Sequence, residues 1–247
     1  MMTKELPIQL NKDPLLEALF EVRFTSAFPA STVLPGLLFS KLEGDKRIEQ
    51  LAVAQIPLAI RDADPHLRFA PISRLIWKQF HINIGDNNVS IACQSPKYPG
   101  WLAFKEAINE ILNILIEIHI VESVQRYSIK YINLIPSESL EEQVSFINFN
   151  VTLANHRLTN EAFQLRLEVN EGQLVNVISI MSSAEIVLPD DSVRKGVIVD
   201  IDTIAILNDV SLETLVGRFD DTRKVNKIKF FDCLTQKTIE SLEPIYE

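Results

Sequence analysis

The residues best placed to do chemistry are a pair of aspartates, Asp200 and Asp202, inside the apolar run Val197 to Leu207. If that run is a strand, period-two geometry puts both carboxylates on one face, flanked there by Ile198 and Ile204, about 7 Å apart. Two carboxylates at that spacing can share a hard cation, or divide acid and base roles if their environments separate them. A plainer reading pairs them across the sheet with Arg166, which shares the polar face of Phe163 to Val169 with Gln164 and Glu168. Opposite charges on neighbouring strands stabilise a sheet without any further role.

Two more groups follow the same alternation. Glu21 and Arg23 share one face of an early strand, and Glu17 joins them if that strand starts early. They can line a cleft or form a structural ion pair. Arg126 and Lys130 share a face of a later strand, whereas Tyr127 and Tyr131 point to the other. Basic and aromatic residues together on a sheet can contact phosphates and stack on bases. Split between faces, one set belongs to the core, and nucleic acid is not the expected partner. The candidate ligand-binding set is therefore Glu21, Arg23, Arg126, Lys130, Asp200 and Asp202, with no catalytic residue, cofactor or metal assigned.

Other chemistries lack their residues. His66, His81, His119 and His156 have no partner at metal-clip spacing, His81 being the most sheltered. Cys93 and Cys233 lie far apart, so zinc and a disulfide framework are not expected and a reducing compartment fits. The chain contains no Gly-x-Ser-x-Gly, phosphate loop, dinucleotide fingerprint or His-Glu-x-x-His. Asn150-Val151-Thr152 matches a glycosylation sequon, without consequence in a cytoplasmic protein.

The elements that must position these groups read as mixed α and β. A strand ends in Phe20, Val22 and Phe24, and Ser31 and Thr32 offer caps for a helix to Leu42, closed by Gly44. Leu51 to Ile60 reads as a short strand, followed by strands Ser73 to Gln79 and Phe80 to Ile84. Gly85-Asp86-Asn87-Asn88 makes a hairpin turn into Val89 to Cys93. Trp101, Phe104, Ile108, Ile111, Leu112, Leu115 and Ile118 recur at helical spacing. Trp77 and Trp101 read as core anchors. Arg126 to Ile135 alternates again and stops at Pro136.

Beyond it, Phe146 to Leu153, Phe163 to Val169, Leu174 to Met181 and Gly196 to Leu207 read as four antiparallel strands. Asn170 to Gln173 is a hairpin turn, Pro189 to Ser192 a loop, and Ser211 a cap for a short helix. From about Thr222 a helix carries Val225, Ile228, Phe231, Leu234 and Leu242 inward and ends at Pro244. The expected fold is α+β. It consists of an N-terminal unit, 1–140, and a C-terminal unit, 141–247, each of largely antiparallel strands followed by a long helix, with room for a shared sheet.

Composition sets the outer limits. The 247 residues are 47% hydrophobic and 23% charged, ordinary for a globular chain able to bury a core. The net charge of −9 is uneven, with −1 in 1–140 and −8 in 141–247. An acidic second half argues against wholesale nucleic-acid binding and leaves a basic protein partner or a metal open. There is no signal-peptide pattern among residues 1–10, and Ala107 to Val121 is interrupted by Glu110 and Glu117. A cytoplasmic protein without membrane contact is expected.

Three segments, taken in order, resemble a sporadically distributed prokaryotic family of proteins of about this length. They are the Pro14 to Phe24 opening with its Glu-Ala-x-Phe-Glu-Val-Arg-Phe run, Arg126-Tyr127-Ser128-Ile129-Lys130-Tyr131-Ile132-Asn133, and the Asp200-Ile201-Asp202 strand. The likeness spans nearly the whole chain, although Lys130 stands where the pattern has arginine. It implies no activity, cofactor or catalytic residue, and its patchy occurrence suggests mobile or defence-linked cargo. On the residues, the first expectation is a non-enzymatic protein-binding or regulatory module presenting a sheet surface. A metal-assisted hydrolase or nucleotide-binding enzyme on Asp200 and Asp202 is the second. A small-ligand sensor with a pocket between helix 101–120 and the sheet is the third.

Overall fold

The computed structural model describes residues 6–187 and 191–246. It is an α+β arrangement with a nine-stranded antiparallel sheet and six helices. The strands are β1 (Leu15–Thr25), β2 (Lys46–Gln50), β3 (Ser73–Trp77), β4 (Phe80–Ile84), β5 (Asn88–Gln94), β6 (Ser123–Pro136), β7 (Gln164–Glu171), β8 (Leu174–Val187) and β9 (Val193–Val210). Their spatial order is β7-β8-β9-β6-β1-β5-β4-β3-β2. From the seam between β1 and β6, each side of the sheet is a meander read backwards, β5 to β2 on one flank and β9 to β7 on the other. β6 lies within 1–140 yet bonds to β9 as well as to β1, so one sheet runs through both halves of the chain.

Alternation decides the faces. Ala18, Phe20, Val22 and Phe24 of β1 are buried beneath the helices, while Glu17, Leu19, Glu21 and Arg23 turn the other way. The helices are α1 (Leu34–Lys41), α2 (Leu58–Ala63), α3 (Trp101–Ile118), α4 (Leu140–Phe146), α5 (Phe219–Cys233) and α6 (Gln236–Ser241). α1 and α3 share a core with β1 and β3 to β5, where Leu34, Leu38, Phe104, Ile108, Ile111 and Leu115 are sealed. α5 and α6 pack Phe230, Phe231 and Ile239 against Val197, Val199 and Ile201 of β9. Phe219, at the start of α5, meets Phe20 and Tyr127 edge-on and belongs to the core under α1 and α3. At Gly196 an added Cβ would lie 2.2 Å from the Ile135 carbonyl oxygen, so only glycine allows β9 this close to β6 there.

Several expected elements differ. Leu51 to Ile60 is not a strand: the strand is β2 just before it, followed by a 3-10 turn at Ala52–Gln55 and then α2 after Pro57. Ser31 and Thr32 do not cap α1, which starts at Leu34. Their hydroxyls instead donate to Asp86 and to the Pro29 carbonyl. Phe146 to Leu153 alternates like a strand, but α4 runs into Phe146, Ile147 makes a single bridge to Leu234, and Thr152–Leu153 pairs with His156–Arg157. Ser139 caps α4 by accepting from the Glu142 N–H, while the Glu142 carboxylate accepts from Ser137. The C-terminal helix is two helices, α5 and α6, broken at Leu234. Phe231, Leu234 and Leu242 are buried as expected, but α5 also buries Phe219, Thr222, Asn226 and Phe230, and not Val225 and Ile228. Asn226 replaces apolar packing with hydrogen bonds, donating to the Ile129 and Ile201 carbonyls at 3.0 and 2.8 Å. Ser211 precedes a 3-10 turn without a side-chain cap. Pro189 and Asp190 of the expected loop lie outside the described residues. No helix among the described residues is long and apolar enough to cross a membrane.

Candidate functional site

All six candidate residues project from the face of the sheet opposite the helices, on the adjacent strands β1, β6 and β9. The registers place them in one ribbon. Arg23 faces Arg126, Glu21 faces Ser128, and Leu19 faces Lys130 across the β1–β6 seam. On the next strand, Lys130 faces Asp202 and Ile132 faces Asp200. Glu17 lies opposite Ile132 and completes the group.

Within the ribbon the charges pair. Glu21 Oε1 accepts from Arg23 Nε at 2.6 Å and from an Arg126 Nη2 at 3.0 Å, and Asn88 of β5 donates to its other oxygen at 3.4 Å. Lys130 Nζ lies 2.8 Å from Asp200. Phe69 caps the cluster at one end, its ring centroid 4.0 Å from the Arg23 guanidinium carbon. Each of these charged side chains is half-buried, so a loss of either partner would strand the other in poor solvent.

Asp202 stands apart. It makes no ion pair among the described residues, and its Oδ1 is shut off from solvent with no hydrogen-bond partner. Burial pushes its carboxyl above the usual aspartate range, opposed by the nearby charges of Lys130 and Arg126 and by a hydrogen bond from Ser128. Burial likewise raises Glu17, against the hydrogen bond from Gln94 and the charge of Lys130. Asn88 Oδ1 is a second sealed acceptor, and Arg126 Nε is a sealed donor without an acceptor. The site thus combines a neutralised ionic lattice with two unsatisfied acceptors and one unsatisfied donor.

Arg166 does not meet the aspartates. It pairs with Glu168 on its own strand at 2.7 Å, because Ser179 of β8 stands between Arg166 and Asp200 in the ladder. Tyr127 and Tyr131 lie on the helix side, bonded to Thr222 and Tyr98, each at 2.9 Å. The bases-and-phosphates arrangement of a single-strand reader is therefore divided by the sheet. His81 shares the open face, with its imidazole held below the usual range by burial and by Arg74. Cys93 is buried and its thiol is pushed up to about 11 by burial, which makes it a poor nucleophile. Among the described residues no three His, Cys, Asp or Glu side chains are grouped to hold a metal ion. Asn88, Ser128 and Phe69 belong to the site and were not singled out from sequence. The first two are small polar residues in apolar strands, the only signal they offer.

Two cavities lie away from this ribbon. The larger, about 780 Å³, opens at the strand ends among Pro14, Leu16, Pro136, Phe146, Arg194 and Lys237. The second lies on the helix side, beside Tyr98 and α5. Neither contains any of the six candidates.

Comparison with known proteins finds no family model and no curated relative that matches the chain.

Proposed function

We propose that the protein is a non-enzymatic binding module that presents the open face of its sheet to a protein partner. The observation that supports this reading most is the pairing within the ribbon. Glu21 and Asp200 are already neutralised by Arg23, Arg126 and Lys130, so a polar surface is held rigidly without a free base beside a nucleophile. Exposed Ile206 and Met181 border the ribbon on β9 and β8 and offer apolar contact next to fixed charge. The outer strand β7 adds an edge with unpaired backbone groups, where Leu167 is exposed.

On the same reading the chain is two similar units, 1–140 and 141–247, that share the sheet where β6 pairs with β9, so the ribbon lies across their boundary. The enzyme alternative is weaker because a cation between the aspartates would have to displace Lys130 from Asp200. The test is a pull-down from native lysate with exposed-site variants that leave the fold intact. Wild type is expected to retain a stoichiometric partner that Ile206→Asp loses and Lys224→Glu, on α5, keeps. Recovery of no such partner, or equal retention by both variants, overturns the proposal.

A further inference from the structure

On the helix side, a cavity of about 550 Å³ opens between the start of α3, the middle of α5 and the core face of β6, with residues 7–11 along its rim. That volume falls within the range of small-molecule pockets, roughly 300–1,000 Å³. Its walls are aromatic, with Tyr98, Trp101, Tyr131 and Phe230 all on the lining. Its charge is mainly positive, two cations against the one carboxylate of Asp13. Arg223 and Lys227 come from successive turns of α5, and neither makes an ion pair among the described residues. The lining carboxylate, Asp13, is turned to its own backbone, accepting from the Leu15 N–H at 3.0 Å.

The donors outnumber their acceptors. Arg223 lies over the Trp101 ring at 5.3 Å and hydrogen-bonds the Tyr131 hydroxyl, yet its Nε is sealed from solvent and unpartnered. Tyr98 and Tyr131 share one hydrogen bond at 2.9 Å. Each phenol carries one proton, so that bond uses only one of the two. Lys227 is pulled below the usual lysine range by burial and then by Arg223, as befits a half-buried cation beside another. α3 begins at the rim with Gly100 as its cap, no side chain on its first N–H groups and no acidic residue in its first turn. The positive end of its dipole therefore adds to the two cations.

We propose that this cavity binds a small organic anion, a carboxylate or phosphate carried on a planar apolar body, with Arg223 and Lys227 on the anionic group and Trp101 and Phe230 against the body. The site uses the face of the sheet opposite the charged ribbon, so it stands or falls separately from the protein-partner reading.

The probe is anilinonaphthalene sulfonate, a planar aromatic anion, followed by energy transfer from tryptophan. Trp101 lines the cavity, whereas Trp77 is sealed inside the core that Trp101 packs against, so Trp101→Phe is expected to reduce the transfer without abolishing it. Wild type should bind one equivalent saturably. Lys227→Gln and Arg223→Gln should each bind about tenfold more weakly, the loss expected of a charge-assisted contact. Lys224→Gln, exposed on the same helix, should bind as wild type does. Lys227→Gln also removes an unpaired half-buried cation, so its melting temperature without probe should equal or exceed that of wild type, separating lost binding from lost folding. The assignment is overturned by absence of saturable binding, by unchanged affinity in both variants, or by an equal loss in Lys224→Gln.

Discussion

Lys130 stands directly opposite Asp202 in the β6–β9 ladder, yet its ammonium reaches diagonally to Asp200, 2.8 Å away. The diagonal choice settles the chemistry of the ribbon. Asp200 gains a partner, and Asp202 is left with a sealed oxygen that nothing bonds. A buried carboxylate with one oxygen unbonded is costly when charged, so Asp202 is a source of strain in the folded state despite its hydrogen bond from Ser128.

That strain has a pH signature. The folded-state pKa of Asp202 is raised above 3.8 by burial, so between those two values the folded protein binds more protons at this site than the unfolded chain. Its contribution to stability is therefore fully present below 3.8 and is lost as pH rises through the folded-state value. Asp202→Asn should melt above wild type at neutral pH by roughly 2–4 °C, about 1 kcal/mol in a chain of this size. The gap should close toward acid. Thermal melts of both proteins across the acid range check this, and a variant less stable than wild type at neutral pH would contradict it.

The same ladder governs the response to divalent cations. With Asp200 held by Lys130, the two aspartates offer no ready pair of oxygens, so millimolar Mg²⁺ or Mn²⁺ should shift the melting temperatures of wild type and of Asp200→Asn/Asp202→Asn equally. A clearly larger shift in wild type would instead mean that a cation displaces Lys130. The enzyme reading would then take precedence.

Period two alone made the facing of each pair legible in sequence, but not the convergence of the three pairs. Glu21 with Arg23, Arg126 with Lys130, and Asp200 with Asp202 each alternate with buried neighbours, and each pair therefore shares a face. That the three strands are adjacent was not legible, since strand order is set by long-range pairing. The Arg166 contact failed for the same reason, one strand of spacing being invisible from spacing along the chain. Phe146 to Leu153 misled through its clean alternation. The opposing signal was present in Ser139 and Glu142, a capping pair at the right separation. In α5, Thr222 and Asn226 are buried by hydrogen bonding rather than by hydrophobicity, so an apolar count found Phe231, Leu234 and Leu242 inward but wrongly added Val225 and Ile228. It thereby hid Arg223 and Lys227 from view.

The stability of the region beside the ribbon should depend on Arg61. Its Nε and Nη2 reach Asp86 Oδ2 at 3.2 and 2.8 Å, its Nη1 donates to the Ile56 carbonyl at 2.8 Å, and Ser31 donates to the other Asp86 oxygen. The pair clamps α2 to the turn between β4 and β5, and its side chains are only 11% and 4% exposed. Removing one member of such a pair leaves the other charge buried and uncompensated, which costs about 3–5 kcal/mol. Arg61→Met should therefore lower the urea midpoint sharply, and Asp86→Asn in that background should restore part of the loss by removing the orphaned charge. Urea denaturation of wild type, both single variants and the double variant measures the coupling directly. Losses that simply add would show that the two residues act independently and that α2 is held in place by other contacts.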